Sequence, residues 1–181
     1  MAIGSLLVSS ALGAGCTNSA PAPSAAVVDT SIRPAGPVDT GWRVSRVVDG
    51  DTIRVRRNGD ELKVRLIGID SPESVKPNSP IECYGVQASQ FATERLDGAE
   101  VVLERDPSQQ PKDRYGRTLA YVWLVDDAGR ALSLFNLEAV GVGAAREATY
   151  NGAYQWQQAF RTAERSARQQ GLGLWGACDV G

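Results

Sequence analysis

Residues 42–70 read WRVSRVVDGDTIRVRRNGDELKVRLIGID, and this stretch decides the fold. Three runs, 42–48, 51–57 and 62–69, are rich in β-branched residues and mostly alternate apolar with polar side chains. That is the pattern of strands with one buried face. Asn58-Gly59 separates the second run from the third. Both residues accept positive φ, so a tight hairpin is predicted there. Asp49-Gly50-Asp51-Thr52 joins the first run to the second, and reads equally as a plain turn or as part of a site.

Working outward, residues 99–104 (AEVVLE) and 118–125 (TLAYVWLV) add two more strands, and Asp127-Ala128-Gly129 turns the chain into a short strand at 130–132. Three helices are expected. Residues 85–96 place Ala88, Phe91, Ala92 and Leu96 at helical spacing. Residues 133–140 open on Ser133 as a cap and stop at Gly141. Residues 153–169 align Trp156, Ala159, Phe160, Ala163 and Ala167, and Gly171 follows as a stop. The expected class is α+β, mainly β: five or so short strands with few helices suggest a small barrel with the helices packed outside.

Composition narrows the chemistry. The 181 residues are 43% hydrophobic and 22% charged, ordinary for a globular protein, and histidine is absent. Ser-His-Asp and Cys-His nucleophile systems and histidine-ligated metals are thereby excluded. The net charge is −2 and the pI about 5.2, so the whole-molecule field does not attract nucleic acid and any such role needs a local basic site.

The N-terminus differs in kind. Residues 2–14 (AIGSLLVSSALGA) are small or apolar and uncharged. They are shorter than the ~20 residues of a membrane span and suit the core of a signal peptide over residues 1–15. Gly15-Cys16 resembles the bacterial lipobox, in which the cysteine takes lipid and becomes the mature N-terminus. A cleaved soluble signal or an unanchored tail is the other reading. Residues 16–40, with Pro21, Pro23, Pro34 and Pro37 among Ala, Ser and Thr, read as a disordered tether. The folded domain is then expected over 41–178, with a tail at 179–181. The expected location is a bacterial cell surface, through a lipid anchor at Cys16, or the secreted fraction. Cys83 and Cys178 remain as a pair, which in an exported chain forms a disulfide. It would close a loop of about 95 residues, worth roughly 4 kcal/mol. Two buried free thiols are the alternative.

Three polar clusters sit at strand ends. They are Asp49-Gly50-Asp51-Thr52, the run from Arg65 to Asp70-Ser71-Pro72-Glu73, and Lys112-Asp113-Arg114-Tyr115-Gly116-Arg117. Arg65 lies in an apolar strand, so its charge needs a partner. Read singly, each cluster is a turn or a solvated loop. Together, the phrases VVDGDTIRV, VRLIGIDSPE, YGVQAS, DRYGRTLAYV and GLGLWG closely resemble the staphylococcal nuclease family, in order and spacing, across residues 42–176.

The resemblance implies a five-stranded OB-type Greek-key barrel with three α-helices. It also implies calcium-dependent hydrolysis of phosphodiester bonds in DNA and/or RNA by a monomer. Asp51 and Asp70 match the carboxylates that bind Ca²⁺, and Ser71 matches a residue that supplies a backbone carbonyl ligand. Glu73 matches the acid that faces the attacking water. Arg65 and Arg117 match the arginines on the target phosphate, and Arg114 and Tyr115 match nucleotide contacts. Asp49 matches an acid near the metal. Calcium is a hard ion that takes oxygen ligands, which a histidine-free site offers. Guanidiniums pair bidentately with phosphate oxygens and stabilise the charge built up in hydrolysis. Two departures stand out. The loop 74–82 carries a single basic residue, Lys76, and residues 144–150 lack a clear counterpart of a nucleotide-stacking aromatic unless Tyr150 serves. A non-catalytic OB-fold nucleic-acid-binding module at the cell surface is the competing reading, against which the five retained side chains Asp51, Asp70, Glu73, Arg65 and Arg117 count.

Overall fold

The computed structural model describes residues 31–74 and 80–179. Among the described residues eight strands run as β1 (Val38–Asp49), β2 (Thr52–Arg57), β3 (Asp60–Leu66), β4 (Ile69–Asp70), β5 (Glu100–Glu104), β6 (Thr118–Val125), β7 (Ala131–Leu134) and β8 (Arg146–Glu147). The helices among the same residues are α1 (Gly85–Leu96), α2 (Phe135–Gly141), α3 (Gln157–Gln169) and α4 (Leu174–Ala177). The main sheet has the order β3-β2-β1-β5-β6-β7, and β3 also pairs with β6 in parallel. That last pairing closes five strands into a mixed barrel, as the OB-type expectation required. β4 and β8 form a separate two-stranded ribbon. Among the described residues no helix is long and apolar enough to cross a membrane.

The alternation seen in the sequence is the barrel wall. Val44, Ile53, Val55, Val64 and Leu66 are buried inward, while their neighbours face out. Asn58 and Gly59 have φ of 50° and 93°, so the predicted hairpin forms with both residues left-handed. α1 packs its Ala88, Ala92 and Leu96 inward. α3 buries Phe160 edge-on against Tyr121 and Tyr154. Asn136 of α2 is fully buried; its amide donates to Ile67 O (2.9 Å) and its Oδ1 accepts from Val122 N (2.9 Å). One side chain therefore ties the helix to β6 and to the turn between β3 and β4.

Several local expectations are corrected. Ser133 does not cap α2. It lies in β7 opposite Leu124, and α2 starts at Phe135 without a side-chain cap. Pairing of the β6–β7 hairpin claims the backbone that a cap would have used. α3 begins at Gln157 rather than 153, because Gln155 N is drawn to Asp106 Oδ2 at 2.8 Å. The one-turn α4 was not anticipated. Residues 38–40, read as the end of the tether, open β1 instead, with Val38 opposite Glu104. Ala35 N and Gly36 N both donate to Glu104 Oε1, at 2.8 and 2.6 Å. Glu104 is wholly buried, and a buried carboxylate must collect donors. Residues 1–30, with the signal peptide, most of the tether and Cys16, lie outside the described residues.

Two glycines position the site. Gly68 has φ 78°, and a Cβ there would come within 2.7 Å of the Tyr154 ring, so only glycine lets β3 bend into β4 at this point. A Cβ on Gly50 would come within 2.7 Å of Ser71. Its absence lets the Asp49–Asp51 turn lie against the strand exit that carries Asp70 and Ser71. Cys83 and Cys178 form a disulfide with Cα atoms 6.0 Å apart. It fastens the end of α4 to the residues preceding α1.

Candidate active site

Arg65 emerges from β3 with only 7% of its surface exposed. Its charge is fully engaged. Nη1 donates to Leu66 O and Ile69 O at 3.1 and 2.8 Å. Nη2 lies 3.1 Å from Asp51 Oδ2, from Asp70 Oδ1 and from the Tyr150 hydroxyl. One guanidinium thus gathers the two carboxylates that the sequence placed on different strands.

Asp51 is as buried as Arg65. It accepts from Thr52 Oγ1 at 2.9 Å and from the Ser71 main-chain N–H at 3.1 Å. Its carboxyl is pushed up from 3.8 to about 6, chiefly by burial; Arg65 opposes the shift and the nearby Asp49 charge adds to it. Asp49 also accepts from Asp51 N at 3.1 Å. Asp70 is half-exposed and shares its Oδ1 with Tyr150, whose hydroxyl donates at 2.8 Å. The Tyr150 hydroxyl is pushed up to about 12 by burial and by this bond to Asp70.

Arg117 approaches from the other side. Its Nη1 donates to Thr52 Oγ1 at 3.2 Å, and its Nε donates to Asp113 Oδ2 at 2.6 Å. Asp113 also accepts from the N–H groups of Tyr115 and Arg117, at 2.9 Å each. Burial works against the Asp113 charge, but the Arg117 bond and the two N–H groups outweigh it and hold the carboxyl below its usual value. Arg114 donates to the Tyr115 hydroxyl at 2.6 Å, and Tyr115 is 68% exposed at the rim. Glu73 leaves β4 through Pro72. Its N–H donates to Glu82 Oε2 at 3.1 Å, and its carbonyl accepts from Glu82 N at 2.9 Å.

These groups face one open cleft of about 800 Å³, lined by Asp51, Arg65, Asp70, Glu73, Tyr115 and Arg117 among others. The structure therefore brings together the residues singled out in the sequence, with Arg114 and Ser71 on the same walls. The polar clusters contained Thr52 and Asp113 without a role for either, and Glu82 was not singled out. Asp113 braces Arg117 across a glycine turn, and its i,i+4 spacing was a visible signal. Thr52 and Glu82 carried no such signal: Arg117 lies 65 residues from Thr52, and Glu82 meets Glu73 nine residues away at no regular spacing.

The donor set suits a hard cation. Asp51 and Asp70 offer carboxylate oxygens, and the buried Asp51 carboxylate lacks enough positive charge to hold its ordinary acidity. Among the described residues no three acidic, cysteine or histidine side chains converge as a metal cluster. Two carboxylates would thus need main-chain oxygen and water to complete a calcium shell of six to eight oxygens.

Residues 63–177 match the family described as "Staphylococcal nuclease homologue". The chain is 42% identical over 134 residues to "Thermonuclease" of Staphylococcus intermedius, covering 74% of this chain and 75% of that protein. The same identity and coverage hold for "Thermonuclease" of Staphylococcus hyicus. Over 133 residues it is 37% identical to "Endonuclease YncB" of Bacillus subtilis, covering 73% of this chain and 60% of that protein.

Proposed function

The chain belongs to the staphylococcal nuclease family, and from that premise we propose that it is a calcium-dependent nuclease that hydrolyses phosphodiester bonds of DNA and/or RNA. The observation that carries the reading is the shared cleft. Two arginines from separate elements, two carboxylates and Glu73 line one cavity. An isolated basic loop would bind a polyanion. Hydrolysis needs the acidic groups beside it.

Each group has a role that its surroundings support. Arg117 is clamped through Nε and Nη1, so its guanidinium plane is oriented before substrate arrives. Its Nη2 has no hydrogen-bond partner among the described residues and is available to a phosphate oxygen. Arg65 is fixed by two main-chain carbonyls, which hold it whatever happens to its carboxylate partners. Both guanidiniums stabilise the charge that grows on the phosphoryl oxygens as water attacks. Glu73 orients that water and accepts its proton, from a backbone locked to Glu82 by two hydrogen bonds. Tyr115 and Arg114 offer an aromatic face and a cation to the adjoining nucleotide. Asp51 and Asp70, with Ser71, would hold the calcium ion, which when bound supplies further electrostatic stabilisation of the phosphoryl group.

Export fits the same reading. A disulfide between Cys83 and Cys178 suits an oxidising compartment, and residues 2–16 have the composition of a signal followed by a lipidated cysteine. The proposed setting is the outside of a bacterial cell, with the monomer anchored at Cys16 or released.

The test is cleavage of single-stranded DNA and of RNA by the purified chain, first with calcium and then with excess chelator. Calcium-dependent cleavage that stops on chelation supports the proposal. Tight binding without turnover in either condition overturns it in favour of the binding module.

A further inference from the structure

The outer face of β1–β3 carries a charge arrangement that the fold itself does not need. In the antiparallel register Arg46 stands directly opposite Arg54, and Arg54 directly opposite Lys63. One row further from the cleft, Arg43 stands opposite Arg56, which faces Glu61. Like charges directly opposed in a sheet are destabilising. Two carboxylates share this face: Glu61, which takes Arg54 and Arg56, and Glu100, 3.9 Å from Arg43. Arg46 and Lys63 are exposed and have no carboxylate partner among the described residues. Five cations thus crowd one face of a chain whose net charge is −2.

A register irregularity between Val44 and Arg46 builds part of the patch. Strict alternation from Trp42 and Val44 would turn residue 46 inward. The irregularity leaves both Ser45 and Arg46 exposed, the way a bulge re-aims a side chain.

The pleat then connects this patch to the cleft. Thr52, Arg54 and Arg56 share one face of β2, and Lys63 and Arg65 share the corresponding face of β3. Thr52 is paired with Arg65, and Thr52 is the residue that receives Arg117. The row Arg46–Arg54–Lys63 therefore begins one side-chain step, about 7 Å, from Thr52 and Arg65, on the same face of the sheet.

We propose that the outer face of β1–β3 is a binding track for a single nucleic-acid strand, gripping the phosphodiester backbone of the segment that flanks the one in the cleft. The inference rests on the nuclease reading of that cleft. Continuity with the cleft favours nucleic acid over an anionic lipid surface. So does the absence, among the described residues 43–63, of any exposed large apolar side chain, since a membrane-seated face adds apolar insertion to charge.

The test uses the double variant Arg46→Gln/Lys63→Gln in the full chain. Its folding is checked by the denaturation midpoint, which is expected to hold or rise as like charges are removed. With a 30-nucleotide DNA strand, KM is expected to rise about five- to twentyfold, while kcat/KM for a dinucleotide keeps its wild-type value. Binding of the same strand in chelator, where no cleavage enters, is measured against salt. The slope of log affinity on log salt is expected to weaken by about 1.4, since two side chains no longer neutralise phosphates. Unchanged affinity and slope overturn the track. So does a variant that loses binding only to phosphatidylglycerol vesicles. A wild-type chain that cleaves nothing with calcium defeats the nuclease reading alone, because the binding arm still reads the track.

Discussion

Asp113 holds Arg117 from four residues away, with its Oδ2 2.6 Å from the guanidinium Nε and its Oδ1 on the Arg117 main-chain N–H at 2.9 Å. The turn through Gly116 brings the acid back onto the arginine, so a local loop becomes a rigid mount for a group that faces the cleft.

Loss of that mount should show in turnover more than in stability. Asp113→Ala is expected to lower kcat roughly tenfold or more, since small misplacement of a charge-stabilising group is costly. The ion pair is partly solvated, so folding should change by only about 1 kcal/mol. Steady-state kinetics beside a urea melt separates the two. A variant with wild-type kcat would show that Arg117 needs no brace.

Arg117→Ala and Glu73→Ala are each expected to cut cleavage by about 10²-fold or more while the fold persists. Arg65→Ala should do the same and also destabilise the chain by roughly 3 kcal/mol, because it strands the buried Asp51 carboxylate. Full activity in all three would remove the assignment of the cleft.

Asp51→Asn should make the chain more stable in chelator at neutral pH. The folded carboxyl is raised from 3.8 to about 6, so the folded state resists its ionisation. The penalty is absent below about pH 4, grows as pH rises towards 6, and is full above that. The variant is expected to gain about 1–3 kcal/mol at pH 7.5 and nothing at pH 3.5, by linkage. Arg65 keeps Asp70 as a partner throughout. Equal stability of variant and wild type at pH 7.5 would contradict the burial penalty.

Asp106 has the opposite sign. It is buried, yet accepts from Tyr121 OH, Gln155 N, Ser108 N and Ser108 Oγ at 2.7–2.8 Å. Burial pushes its carboxyl up, but the four donors prevail and hold it below its usual value. Its stabilisation is therefore present above about pH 4 and lost as pH falls through the folded value. Asp106→Asn is expected to cost about 2 kcal/mol at pH 7, with the difference shrinking by pH 3. Urea melts at the two pH values read it directly.

Reduction should loosen the chain. The Cys83–Cys178 bond spans 95 residues, and its loss is expected to cost up to ~4 kcal/mol. The melting temperature with and without a dithiol, set beside Cys83→Ser/Cys178→Ser, measures this. Coincident melts would show that α4 holds without the bond.

Strands, helices and the hairpin were legible in the sequence because their signals are local. Periods of two and near 3.6 survive in a short window, and Asn58-Gly59 states its own backbone conformation. The barrel closure was not local: β3 meets β6 in parallel across more than fifty residues (Val64 opposite Thr118), and the strand pattern suggested a small barrel without saying which strands close it. Ser133 shows the limit from the other side. Its cap signal was sound as a propensity, and pairing with Leu124 overrode it.

The site divides the same way. Asp51, Arg65, Asp70, Glu73 and Arg117 could be named from sequence, because their residue types and the phrases around them carry the chemistry. Their arrangement could not. That one guanidinium spans Asp51 and Asp70, that Tyr150 reaches Asp70 from 80 residues away, and that Glu104 clasps Ala35 and Gly36 are facts of packing. Sequence alone determined which elements form and which groups are available. Tertiary structure decided which charges are buried together, because desolvation and partner choice depend on distance through space and not along the chain.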